Sequence, residues 1–133
     1  MTWFFFQGVP SESIRKTMND ADELTEERLD ELVQSYLNDF KEGKHIEKGW
    51  PIKPSAYIIS KAALNAYTRI LAKKYPRFCV NCVAPGFVKT DMNFHTGILT
   101  AEEGAKGPVM CALFPDGSPS GLFYDQTEVV PFE

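Results

Sequence analysis

The sequence predicts an α/β fold, on three observations. The stretch from 79 to 84 is nearly all apolar and is closed by Pro85 and Gly86, the pattern of a strand buried on both faces of a parallel sheet. A long helical run precedes it over residues 55–75. A capping box of Thr100 with Glu103 opens another helix after it. Helix alternating with strand in this order matches the C-terminal end of a doubly wound sheet.

The elements run in order along the chain. Residues 2–7 form a candidate short strand, broken by Gly8 and Pro10. Ser11 caps a short helix through Asn19, with Glu12 in the first turn where negative charge suits the helix dipole. Thr25 caps a clearer helix with Glu26 and Glu27 in its first turn. Its apolar positions, Leu29, Leu32, Val33, Tyr36, Leu37 and Phe40, keep a 3.6-residue rhythm, and Gly43 reads as its stop. Such an amphipathic helix is expected to pack on its own domain, the alternative being a partner-binding element. Residues 44–54 read as a loop, carrying Gly49, Pro51 and Pro54. Ser55 is the expected N-cap of the long helix, whose apolar face takes in Ala62, Ala63, Ala66, Tyr67, Ile70 and Leu71 before Pro76 ends it. The helix after Thr100 carries Val109, Ala112 and Leu113. Residues 116–121 are a turn, and residues 122–124 a last short strand. No repeat or low-complexity segment occurs.

A chain of 133 residues suits one domain. A net charge of −4 argues against a nucleic-acid surface. No apolar run approaches the ~20 residues of a membrane span, and residues 3–6 are too short for a signal-peptide core. The expected compartment is cytoplasmic. The three cysteines imply no disulfide framework. Cys79 and Cys82, three apart on a predicted strand, face opposite ways and suit neither a redox pair nor a shared metal. No metal site is expected, and all three thiols are expected to be packed.

Chemistry is suggested by Tyr57 and Lys61. Four residues apart on a helix, they share a face. A phenol is a poor acid or base near neutrality, but a nearby cation favours the phenolate. Such a pair can pass a proton to or from a carbonyl or alcohol oxygen. The alternative is a tyrosine packed on the core beside a solvated lysine. The residues after the pair decide between them: a long helix, a strand ending in Asn81, Pro85 and Gly86, and a loop carrying Val88 and Thr90.

Together, Tyr-x-x-x-Lys, the helix, Asn-x-x-x-Pro-Gly and Val-x-Thr resemble the short-chain dehydrogenase/reductase family. The resemblance implies a Rossmann-type parallel sheet and a nicotinamide dinucleotide. It implies that Tyr57 is the catalytic acid/base, and that Lys61 favours its phenolate and binds the nicotinamide ribose. Pro85 and Gly86 correspond to the turn where backbone approaches the nicotinamide. Val88 matches the position whose main chain meets the carboxamide, and Thr90 the hydroxyl beside carboxamide and phosphates. Asn93, Phe94 and His95 fall in the variable loop over the substrate; His95 and His45 are read as non-catalytic.

The helix from Thr25 resembles the helical insertion of the plant menthone, neomenthol and salutaridine reductase branch, related to carbonyl reductases. Members of that branch are typically NADPH-dependent and monomeric. The expected organisation is one partial reductase domain over 1–133, with a helical insertion at 11–50 and the catalytic helix, strand and C-terminal elements at 55–133.

Three parts of the family pattern are missing. No Gly-x-x-x-Gly-x-Gly loop is present to meet a pyrophosphate, no Asn-Asn-Ala-Gly, and no serine in the substrate-polarising position. The chain is therefore expected to be the C-terminal half of an NADPH-dependent reductase of small-molecule carbonyls, with little activity alone and a tendency to self-associate. The alternative is a non-catalytic partner that docks on a full-length reductase.

Overall fold

The computed structural model describes residues 8–20 and 22–132. The candidate strand at residues 2–7 lies outside them. Helix α1 spans Glu12–Asn19 and α2 Glu26–Lys41. Helix α3 spans Ser55–Lys74 and leads into strand β1, Cys82–Ala84. A 3-10 turn over Asp91–Asn93 precedes α4, Ala101–Ala112, and the chain closes on β2, Phe123–Asp125, and β3, Glu128–Val130.

The predicted caps form. Ser11 Oγ accepts from the Ile14 amide and Thr25 Oγ from the Arg28 amide. Thr100 and Glu103 close a reciprocal capping box, and the backbone hydrogen bond from Thr100 holds the Glu103 carboxyl below its ordinary value. Gly43, at φ +72°, ends α2 in the left-handed region. Ser55 departs from expectation. Pro54 is the N-cap of α3 and makes no side-chain cap, while Ser55 is the first helical residue and is buried.

The sheet has order β1-β2-β3 and is mixed rather than parallel throughout. β1 and β2 run parallel, Cys82 opposite Phe123 and Ala84 opposite Asp125. β3 returns antiparallel, Phe123 opposite Val130, through a tight turn at Gln126. Residues 79–81 lie outside the strand, and β3 was not expected. At 79–81 side chains share the pairing with the 120–122 segment: Val80 N–H goes to Ser120 Oγ, 2.9 Å, and Leu122 N–H to Asn81 Oδ1, 2.9 Å, beside the backbone bond from Gly121 N–H to Val80 O, 2.8 Å.

Most of the core lies between helices. Val9, Met18, Tyr36, Trp50, Ile59 and Ala62 cluster where α1 and α2 meet α3, and Leu24, Leu29 and Ala66 extend the contact. Full burial of Met18 contributes about 1.5–3 kcal/mol. Two expected core positions of α2, Leu37 and Phe40, are nearly half exposed, and Tyr67 of α3 is partly open at the cleft between α2 and α3. The sheet forms a smaller cluster of Cys82, Ala84 and Phe123. Phe132 joins the layers. It stacks on Phe123 at 5.6 Å, packs against both clusters, and lies 4.6 Å from the Arg69 guanidinium. Arg69 also donates to the carbonyls of Met18 and Asn19, tying the end of α1 to α3.

The cysteines differ in burial. Cys82 and Cys111 are pushed up by burial, with the Thr68 hydroxyl opposing the rise at Cys82. Cys79 is exposed rather than packed, because the chain has not yet entered the sheet. An aromatic disulfide reagent is expected to label Cys79 first and Cys82 only as fast as the domain opens, with mass spectrometry locating the adducts. Equal labelling of Cys79 and Cys82 would contradict this burial. Among the described residues no helix is long and apolar enough to cross a membrane, and no cluster of metal-ligating side chains occurs.

Candidate active site

Helix α3 positions the tyrosine–lysine pair. Ile59, Ala62 and Ala66 bury one stripe against α1 and α2, which leaves Tyr57 turned outward, 48% exposed. The Lys61 Nζ sits 5.7 Å from the centroid of the Tyr57 ring, within cation–π range. The fold therefore brings the two groups together on one accessible face. Ser60 spends its hydroxyl on the Tyr57 carbonyl, 2.8 Å away. Lys73 and Lys74 at the end of α3 suit the dipole and pair with Asp22 and Glu26 at 2.9 and 2.7 Å. The cleft between α2 and α3 is lined by Leu29, Val33, Ala63 and Tyr67, not by the pair.

The second group of candidates sits in the loop after β1. The Thr68–Cys82 contact packs α3 against the strand that leads into it. Gly86 has φ +87°, and a Cβ there would lie 2.6 Å from Leu99 Cδ1, so the turn after Pro85 must present bare backbone. Val88 directs its side chain onto α4: a Cβ on Gly104 would meet Val88 Cγ2 at 2.4 Å. Phe87 and Lys89 bond to the 98–99 segment through Ile98 N–H to Phe87 O, 2.8 Å, and Lys89 N–H to Leu99 O, 2.9 Å. Asn93 knits the loop. Its Nδ2 donates to the Val88 carbonyl at 2.7 Å, and its Oδ1 accepts from the Thr90 amide at 3.1 Å. Thr90 returns a cap to Asn93. Asn93 is thus a structural partner of Val88 and Thr90. His95 pairs with Asp91 at 2.9 Å on the exposed rim.

A polar cluster that periodicity does not flag lies behind the start of α3. Asp39, 6% exposed, accepts from Lys48 Nζ at 2.5 Å and from Trp50 Nε1 at 2.9 Å. Trp50 meets Tyr36 edge-on at 5.4 Å, and the Tyr36 hydroxyl lies 2.9 Å from Ser55 Oγ. The available signal was a charge at 39 within the apolar stripe of α2. The hydrogen bonds from Lys48 and Trp50 hold the Asp39 carboxyl below its ordinary value. A depressed carboxyl stabilises the fold above its unfolded pKa, roughly 3.9, and loses that contribution as pH falls through the folded value. Asp39→Asn is expected to lower Tm at neutral pH and to flatten its decline below about pH 4, read by thermal scans across pH. An acid limb unchanged in slope would show that Asp39 does not set the acid sensitivity of the fold.

An α/β layer of Rossmann type with an exposed Tyr-x-x-x-Lys helix and a bare-backbone turn after the next strand defines a reductase class. Comparison with known proteins agrees. A family described as Enoyl-(Acyl carrier protein) reductase matches residues 44–107. "Short-chain dehydrogenase/reductase 1" of Saponaria officinalis is 60% identical over 125 residues, which is 94% of this chain and 41% of the relative. "Carbonyl reductase [NADPH] 1" of Mus musculus is 36% identical over 120 residues, 84% of this chain and 43% of the relative. The solved salutaridine reductase of Papaver somniferum superposes with a TM-score of 0.86 at 52% identity, over 93% of this chain and 42% of that one. The chain belongs to the short-chain dehydrogenase/reductase family and is similar to plant reductases within it. It spans about two fifths of the length of the relatives it matches.

The residues present fit the nicotinamide end of a dinucleotide. Gly86 carries no side chain of its own, with Leu99 packed where a Cβ would stand, and Tyr57 and Lys61 stand together and accessible. Nothing in the sequence matches the glycine loop that meets a pyrophosphate.

Proposed function

We propose that this chain carries the proton-transfer part of an NADPH-dependent carbonyl reductase site for a small ketone or aldehyde. The observation that carries the reading is the Lys61 ammonium against the exposed Tyr57 ring. The dinucleotide, when bound, supplies a hydride to the carbonyl carbon. Tyr57 gives its phenolic proton to the carbonyl oxygen, so that the product is an alcohol and the phenolate stays beside Lys61. Lys61 balances that charge and bonds the ribose. The Pro85–Gly86 backbone, Val88 and Thr90 bind the carboxamide end.

The chain by itself is expected to bind NADPH weakly and to turn over no ketone, since no glycine loop holds the pyrophosphate. A tight fluorescence titration with NADPH and steady ketone reduction by the 133-residue chain would overturn that expectation. The site itself is tested in a chimera, with this chain replacing the matched residues of the Saponaria relative. Ketone reduction by the chimera supports the proposal, and a folded chimera that binds NADPH without turnover counts against it. The place of β1 at the edge of the described sheet favours a second reading, docking on a full-length reductase. Co-purification with the relative supports it, and a monodisperse monomer in the mixture opposes it.

A further inference from the structure

We propose that Tyr36, through its hydroxyl on Ser55, is a positioning residue that sets the direction in which the first turn of α3 presents Tyr57. The inference rests on the reading of Tyr57 as the acid/base.

The first turn of α3 is weakly held by its own means. Its N-cap is Pro54, which supplies no side-chain acceptor, and the leading amides of a helix have no partner within it. Tyr57 is half exposed, so burial of its ring does not fix it. Ile58, partly buried, and then Ile59 and Ala62 pack on the core after Tyr57, so Ser55 is the buried anchor that precedes it. Ser55 is buried, and its hydroxyl meets Tyr36 at 2.9 Å across nineteen residues of chain.

Tyr36 is itself rigid. It is 3% exposed, edge-on to Trp50 at 5.4 Å and tilted against Phe40 at 5.8 Å. Trp50 is held by Asp39, whose other oxygen takes Lys48. A continuous set of partners thus runs from Lys48 to Ser55, two residues before Tyr57. A helix turns about 100° per residue, so a slip at Ser55 swings the Tyr57 ring away from Lys61. The competing explanation is that two buried hydroxyls merely satisfy one another. In that case their loss lowers stability without redirecting Tyr57.

The test uses the 133-residue chain with isotope-labelled tyrosine and needs neither cofactor nor turnover. The Tyr57 signals are assigned by Tyr57→Phe. Tyr36→Phe is expected to remove the nuclear Overhauser contact between the Tyr57 ring and the Lys61 side chain. Exchange of the Ile58 amide, which donates to the Pro54 carbonyl at 3.0 Å, is expected to quicken about tenfold relative to Ala66. Ser55→Ala should reproduce both changes and Ser55→Thr should restore the wild-type signature. If Tyr36→Phe does not fold, the Ser55 pair decides alone. Leu24→Ala, which weakens the fold away from this turn, should leave the Tyr57–Lys61 contact intact. The proposal is overturned if Tyr36→Phe or Ser55→Ala keeps that contact, or if Leu24→Ala also loses it. Failure of the acid/base reading shows instead as turnover by a chimera carrying Tyr57→Phe, whatever the resonance result.

Discussion

Tyr57→Phe in the chimera is expected to lower kcat/KM for ketone reduction by about 10²–10⁴-fold, equivalent to roughly 3–5.5 kcal/mol of transition-state stabilisation. The change removes one oxygen and leaves the ring on which Lys61 rests. Binding of NADPH should therefore change little, and the loss should fall on kcat. Lys61→Met makes the contrast. It removes the charge beside the phenol and the ribose contact together, so both the rate and the affinity for NADPH should fall. Equal losses for both variants confined to the KM for NADPH would make the pair a binding device rather than an acid/base. Retention of activity within tenfold by Tyr57→Phe would dismiss the tyrosine altogether.

Gly107→Ala is expected to destabilise the chain by about 2–3 kcal/mol, opposite in sign to the intrinsic helix preference of alanine over glycine, about 1 kcal/mol. Gly107 lies inside α4 and is buried. A Cβ there would stand 2.1 Å from the Gln126 carbonyl oxygen and 2.8 Å from Val83 Cγ1. The first neighbour is backbone in the turn between β2 and β3, so no side-chain rotation relieves the clash. Helix α4 must lift from the sheet, which also loosens Gly104 from Val88 and with it the loop that carries Thr90. Gly117→Ala is the comparison: φ is +82° and no atom lies within 4 Å, so backbone strain of roughly 1–2 kcal/mol is its cost. Urea midpoints rank the two. A Gly107→Ala variant more stable than wild type would mean that α4 does not seat on the sheet through its glycines.

The helices were legible because their signals are local. Ser11, Thr25 and Thr100 each present an oxygen to an amide three residues on, and no distant residue is needed to decide that. Ser55 has the same chemistry but stands one residue inside the helix, with Pro54 as the cap, and its hydroxyl meets Tyr36 from nineteen residues away. The strands were less legible. The run at 79–84 reads as one strand, but at its start the Ser120 and Asn81 side chains interleave with the backbone bonds, and β3 pairs along Phe123 and Tyr124 from across a turn. The candidate site divides likewise. The shared face of Tyr57 and Lys61 follows from helical spacing, and their expected role from the resemblance carried by the motifs after them. The use of Asn93 as the tie between Val88 and Thr90 depends on a fold-back of the loop that no periodicity encodes.

By itself the sequence determined the helix limits, the α/β class and the shared face of Tyr57 and Lys61, since each depends on residues a turn or two apart. The tertiary structure alone decided which polar groups lie inside. Asp39 is buried because Lys48 and Trp50 arrive from the next loop to satisfy it, and Gly107 has no room for a side chain because a Cβ there would stand 2.1 Å from the Gln126 carbonyl oxygen. Those pairings are long-range. They depend on where chain segments meet, and a one-dimensional pattern carries hydrophobic phase but not the identity of the partner across the gap.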